Sequence, residues 1–129
     1  VKLLLDTHIF VWVATGDRRL PSEAVAMILD TSNTRTLSAA SAWEMSIKAA
    51  SGRWDGAAAM LDDLDTALRD LQVEQLPIDI PATVLAGRLE WDHRDPFDRM
   101  LAAQTKLGGY SLVTVDRAFD RAGIALALA

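Results

Sequence analysis

Cysteine is absent from this chain of 129 residues, which excludes a disulfide framework, a thiolate zinc site and a cysteine nucleophile. Histidine is nearly absent as well. His8 and His93 lie far apart, and neither has a partner at metal-ligand spacing, so each reads as structural or exposed. Four prolines and seven glycines are too few for a collagenous or linker-like chain. No apolar run approaches the ~20 residues that cross a bilayer, so no membrane partner is expected. The first apolar run meets Asp6 too early to contain the core of a signal peptide, and a cytoplasmic location is expected. The serines lack a G-x-S-x-G setting, and neither a G-x-G-x-x-G fingerprint nor a P-loop occurs. Triad hydrolases and the usual nucleotide-cofactor folds therefore have no support.

What is present is a chain half hydrophobic in composition, enough to bury one core, and a single domain over residues 1–129 is expected. The four tryptophans, Trp12, Trp43, Trp54 and Trp91, are scattered and read as core or interface residues rather than base-stacking platforms. Net charge is −5, which at first argues against a nucleic-acid partner. The distribution changes that reading. Residues 55–92 carry nine acids against Arg69 and Arg88, whereas the rest of the chain carries eleven bases against nine acids. An acidic segment, its Asp62–Asp70 run read as a solvated helix face, can coexist with a mildly basic face elsewhere.

Hydrophobic period and capping signals predict alternating strands and helices. Lys2–Leu5, Thr34–Ser38, Val73–Pro77 and Tyr110–Val115 read as strands, with Ile124–Leu128 as a last edge strand. Helices are expected over Ile9–Ala14, from Pro21 with Val25, Ile28 and Leu29 on one face, from a capping box at Ser41 to about Gly52, and over Gly56–Leu71 with a stripe of Leu61, Leu64, Leu68 and Leu71. Pro81–Glu90, a segment from Asp95-Pro96 to Gly108-Gly109, and Arg117–Ala122 complete the set. This alternation calls for an α/β fold with a mostly parallel central sheet flanked by helices.

Four acids stand out in that frame. Asp6 and Asp116 directly follow apolar strands, at the carboxyl edge where ligands bind in open α/β sheets. Glu44 and Asp98 fall in what reads as the first turn of their helices, where the helix dipole favours an anion. Taken singly, each has an ordinary explanation: Asp6 and Asp116 as caps, Glu44 as part of the Ser41 capping box paired with Lys48, and Asp98 in a helix capped by Asp95. If the two strand ends and two helix starts converge, however, four carboxylates meet and need a cation. An all-oxygen set suits Mg²⁺ or Mn²⁺ better than zinc.

The segments Leu3-Leu4-Leu5-Asp6-Thr7-His8, Ser38-Ala39-Ala40-Ser41-Ala42-Trp43-Glu44, His93-Arg94-Asp95-Pro96-Phe97-Asp98-Arg99 and Leu112-Val113-Thr114-Val115-Asp116-Arg117 together resemble PIN domains, more narrowly the VapC-type toxins of bacterial type II toxin–antitoxin systems. The resemblance runs in order from Lys2 to about Gly123. It implies a Rossmann-like sheet and a metal-dependent endoribonuclease held inactive by a cognate antitoxin, commonly as a homodimer. Carried over, the catalytic and metal-binding acids are Asp6, Glu44, Asp98 and Asp116, with one or two Mg²⁺ or Mn²⁺ ions. Thr114 matches a small hydroxyl residue that often precedes the last acid, and Asp95 a secondary acid of this subgroup. Arg94, Arg99 and Arg117 are candidates for contacts to RNA phosphates. Outside 55–92 and without the four site acids, five acids face eleven bases, so a metal-loaded face attracts RNA.

Other readings are a PIN nuclease of housekeeping RNA processing or one acting on DNA, and a non-catalytic interaction domain whose four acids only cap helices. A HAD-type phosphatase is disfavoured because His8 stands where that chemistry expects a second aspartate.

Overall fold

The computed structural model describes residues 1–128. Four parallel strands, β1 (Lys2–Leu5), β2 (Thr34–Ser38), β3 (Val73–Leu76) and β4 (Ser111–Val113), form one sheet in the order β3-β2-β1-β4. The chain winds outward from β1 through β2 to β3, then returns to place β4 on the other side of β1. The strand order therefore reverses between β1 and β4, and in open α/β sheets ligands bind at such a switch point.

A parallel sheet is covered on both faces, so its strands are apolar throughout rather than alternating. Leu3, Leu4 and Leu5 are all buried, but they serve different layers. Leu3 and Leu5 join a core with Leu37, Val73, Val113, Ile9, Phe10, Ile28 and Met45, whereas Leu4 and Leu112 point to a second core with Trp91, Leu101, Ala102 and Phe119. Each buried leucine contributes about 2 kcal/mol of transfer free energy.

The first core is covered by helices α1 (Thr7–Thr15), α2 (Ser22–Leu29), α3 (Ala39–Ala50) and α4 (Asp55–Asp62). Helix α1 is capped by the Asp6 carboxylate and ends at Gly16, whose φ of 67° a residue with a Cβ resists. In α2 the buried residues are Ala24 and Ile28; Leu29, expected on the inner face, is exposed because the helix ends there. A short helix α5 (Leu64–Asp70) leads to β3, and α6 (Ile80–Arg88) follows, with Pro81 in its first turn and Asp79 as its cap. The second core is covered by α7 (Pro96–Gly108) and a 3-10 turn over Arg117–Arg121. Among the described residues no helix is long and apolar enough to cross a membrane.

Four elements differ from expectation. The helix expected to begin at a Ser41 capping box starts three residues earlier: Ser38, the last residue of β2, accepts from the Ala40 N–H at 3.0 Å, so strand runs into helix without a loop. Glu44 consequently lies in the second turn, not the first. The expected helix over Gly56–Leu71 is broken at Asp63 (φ −117°, ψ 19°), yet Leu61, Leu64, Leu68 and Leu71 all pack on the first core. β4 stops at Val113, because the Thr114 side chain and the residues after it turn toward the acids at the strand end. The last edge strand is reduced to one parallel bridge between Leu112 and Leu126, since a three-residue β4 offers little ladder to pair with.

Candidate active site

The carboxyl ends of β1 and β4 are joined through one threonine. Asp6 follows Leu5 directly, and its backbone N–H donates to Val113 of β4 at 3.0 Å. Its Oδ1 accepts from the Thr7 N–H at 2.7 Å, which caps α1, and its Oδ2 accepts from the buried Thr114 hydroxyl at 2.7 Å. Thr114 Oγ1 in turn accepts from the Asp116 N–H at 3.0 Å. Both Asp6 oxygens are thereby oriented, and the chain from Thr114 to Asp116 is tied to them. Asp116 itself is exposed and caps the 3-10 turn by accepting from Ala118 at 2.9 Å.

Glu44 reaches this edge from α3. It is buried, and its Oε2 lies 2.7 Å from Lys48 Nζ one turn on. The same helix is fastened to α1 by a bond of 2.8 Å from the Thr7 hydroxyl to the Ser41 hydroxyl. Asp98 arrives from the first turn of α7, which Asp95 caps by accepting from the Phe97 and Asp98 N–H groups at 2.8 and 3.2 Å. Asp98 Oδ2 lies 2.7 Å from His93 Nε2. Beneath the site, Ser38 and Gln104 are 2.5 Å apart, and Gln104 donates onward to Pro77 at 3.2 Å. Gln104 thus ties α7 to the ends of β2 and β3.

Burial raises the pKa of Asp6 above the ordinary carboxylate value, against the bonds from Thr114 and Thr7, and the negative charge of Glu44 raises it further. Asp98 is pushed up to about 6, again chiefly by burial, with the charges of Asp95 and Asp6 adding to the effect and the His93 bond opposing it. Glu44 therefore acts on Asp6, and Asp6 on Asp98. The four acids do not close into one cage: among the described residues no three His, Asp or Glu side chains stand together as a ligand set. Glu44 is turned to Lys48, Asp98 to His93, and Asp116 to its own cap. The donor chemistry nevertheless fits a hard cation. Asp6 is buried and Asp98 half-buried, burial raises the proton affinity of both and the Asp6 charge raises that of Asp98 further, and a cation held by them would remove that cost.

The profile of the PIN domain family matches residues 3–125. The chain belongs to the PIN domain family. Solved structures with this fold include the following three. VapBC2 from Rickettsia felis, bound to a DNA fragment from their promoter, superimposes with a TM-score of 0.70 at 18% identity, covering 98% of this chain and 96% of the other. FitAB bound to an IR36 DNA fragment gives 0.64 at 19%, covering 96% and 92%. FitAcB from Neisseria gonorrhoeae gives 0.64 at 19%, covering 96% and 95%. No curated protein matches the sequence.

Two side chains of this PIN domain do something other than expected. Arg99, a candidate for phosphate contact, has its guanidinium filled: it donates to the carbonyls of Ala86 (2.8 Å), Leu89 (2.7 Å), Trp91 (2.7 Å) and His93 (2.9 Å). It is a structural clamp that holds the end of α6 and the following loop against α7. His93, read as a residue without a partner, is the neighbour of Asp98, and its ring lies 4.7 Å from that of Trp91. The short separation within the His93–Asp98 block was the available signal. Arg94 is exposed, and Arg117 is exposed and paired with Asp120 at 2.7 Å.

The raised carboxylates predict how metal-free protein responds to pH. The folded state holds the Asp98 proton up to about pH 6, whereas the unfolded chain loses it near 4. Between these values the folded form binds more protons, so stability is greatest at the acid end and falls as pH rises. Asp6 acts in the same direction. Melts in EDTA should therefore show a lower Tm at pH 7.5 than at pH 5, and Asp98→Asn should flatten the difference. A wild-type Tm that rises across this interval contradicts the placement of these acids.

Proposed function

We propose that this PIN domain, taken as a single domain over residues 1–129, is a metal-dependent endoribonuclease and the toxin of a type II toxin–antitoxin pair. The observation that carries the proposal is the pair of carboxylates, buried Asp6 and half-buried Asp98, both with raised proton affinity, at the switch point of a PIN fold. A bound Mg²⁺ or Mn²⁺, one ion or two, supplies Lewis acidity and lowers the pKa of water for phosphodiester hydrolysis. Asp6 and Asp98 would hold it, with Glu44 and Asp116 completing the shell directly or through water.

The chain's own residues prepare that site. Thr114 and the Thr7 N–H fix both oxygens of Asp6, so that its orientation is set before substrate arrives. Asp95 shapes the turn that presents Asp98, and His93 holds one Asp98 oxygen. Lys48 holds one Glu44 oxygen at 2.7 Å. Arg94 and Arg117, both at the surface, are placed to meet RNA phosphates.

The proposed partners are RNA, a cognate antitoxin and a second copy of this chain, in the cytoplasm. Structural relatives solved as VapBC2 and FitAB assemblies support the antitoxin. An antitoxin arginine entering between Asp6 and Asp98 would stand in for the cation and block hydrolysis. Trp43, 59% exposed, and Leu29, 56% exposed, supply apolar surface for association.

The test is a thermal melt of wild type and Asp6→Asn, each with EDTA and with Mn²⁺. Metal at a hundredfold excess over Kd stabilises the folded state by about 2.7 kcal/mol, a rise on the order of several degrees. Asp6→Asn should melt higher than wild type in EDTA, because a disfavoured buried charge is gone, and should respond less to Mn²⁺. Acids that only cap helices predict a metal-insensitive wild type and an Asn variant that is neutral or slightly less stable, since Asn caps nearly as well as Asp. That pattern would refute the proposal.

A further inference from the structure

We propose that a pocket of interleaved cations and aromatic rings beside the acids, formed by His8, Trp12, Arg19, Lys48, Arg53 and Trp54, holds one nucleotide of single-stranded RNA next to the bond that is cut. The inference rests on the nuclease reading and adds the feature that selects an unpaired strand. The pocket has a volume of about 270 Å³, room for a base with part of its ribose. No carboxylate lines it.

Its walls alternate rings with positive charge. The His8 ring stacks on Trp54 with centroids 4.3 Å apart and planes 17° from parallel, and meets Trp12 edge-on at 5.9 Å. The Arg19 guanidinium lies 5.2 Å from the Trp12 ring centre, and Lys48 Nζ 5.7 Å from that of Trp54. Arg19 and Lys48 share their charge with Asp17 and Glu44, at 2.8 and 2.7 Å. Arg53 is exposed, donates from Nε to the Ser51 hydroxyl at 2.8 Å, and has no carboxylate partner among the described residues. Cations that track a backbone, set among flat rings on which bases stack, are the means by which proteins hold single strands.

Continuity with the acids places the nucleotide. His8 is two residues beyond Asp6 on α1, and the Lys48 ammonium that lines the pocket is the one bonded to Glu44. A strand leaving the pocket therefore passes directly to the carboxylates. An acidic peptide would satisfy the cations but not the ring faces. A duplex keeps its bases stacked within the helix and cannot offer one. Tryptophans expected to serve only as core or interface thus gain a second use: Trp12 and Trp54 pack on the first core and line the pocket as well.

The test follows tryptophan fluorescence of the full chain in the Asp98→Asn background, which removes cleavage from the measurement. The probes are an oligouridylate dodecamer, an RNA duplex of the same length and a glutamate dodecapeptide. The single strand should quench and bind more tightly than the other two. Arg53→Glu should weaken it about tenfold and make the salt dependence shallower by about 0.7 in log–log slope. Arg53→Lys should restore most of the affinity. Lys106→Glu, at the opposite end of α7 from Asp98, should leave it unchanged. Equal weakening by Lys106→Glu, or tighter binding of the duplex or the acidic peptide, overturns the proposal. With Asp98 intact, Arg53→Glu should raise KM for RNA and leave kcat within about twofold. Unaltered cleavage by Arg53→Glu overturns the pocket and leaves the nuclease reading standing. A wild type that cuts no RNA overturns the nuclease reading, while the quenching result still decides the pocket.

Discussion

Asp98→Asn is expected to lower RNA cleavage by at least about 10²-fold, because it withdraws a charge from the proposed metal site, with no loss of fold stability. Asn preserves the shape and can still accept a hydrogen bond from His93, 2.7 Å away in the wild type. What it removes is a charge that burial already disfavours, since the Asp98 pKa is pushed up to about 6. In EDTA at pH 7.5 the variant should melt at or above the wild-type temperature. Asp63→Asn, at the exposed break between α4 and α5, should leave cleavage intact. Rates and melts of the two purified variants make the comparison, and equal rates would show that the chemistry lies elsewhere.

Arg99→Ala is expected to produce the opposite profile, a large loss of stability from a residue one position away. Its guanidinium satisfies four carbonyls, those of Ala86, Leu89, Trp91 and His93. Truncation strands those acceptors in a half-buried setting, at a cost of about 3–5 kcal/mol. For a domain of this size that lowers Tm on the order of 10 °C. Arg99→Lys should recover only part, because one ammonium cannot reproduce the planar fork. The loop held by Arg99 carries His93, so cleavage should fall with stability as Asp98 loses its neighbour. An Arg99→Ala protein that melts like wild type but binds RNA less tightly would return Arg99 to the role of a phosphate contact.

Local chemistry was legible wherever one short segment decided the outcome. Asp95-Pro96 announced the start of α7 and Gly109 its end, and Thr34–Ser38 is a strand with the expected bounds. The alternation of apolar strands and capped helices was enough for an α/β fold with a parallel sheet. Legibility failed where two segments competed for one residue. Ser41 has capping chemistry, but Ser38 sits at the strand end and takes the cap, which frees Ser41 to bond Thr7. Arg99 looked like a free cation because its four partners are backbone carbonyls, which leave no side-chain signal in the sequence. His93 looked unpartnered because only the loop that Arg99 clamps brings its ring to Asp98. Position in the sequence located Asp6, Asp98 and Asp116 at strand or helix ends, but not Glu44, which lies in the second turn of α3. The pairing of Glu44 with Lys48 was foreseeable from their spacing of four on one helix. That Asp116 is exposed while Asp6 is buried was not, because exposure at a strand end depends on what packs over it.

On the proposed function, carboxylates at the β1–β4 switch point hold a divalent ion for RNA hydrolysis. The most direct measurement is cleavage of single-stranded RNA by purified wild-type protein with EDTA and after restoration of Mg²⁺ or Mn²⁺. Cleavage should be absent in EDTA, should return when either metal is added back, and should not return in Asp6→Asn. Undiminished cleavage by metal-free protein, or full metal-restored activity in Asp6→Asn, would contradict it.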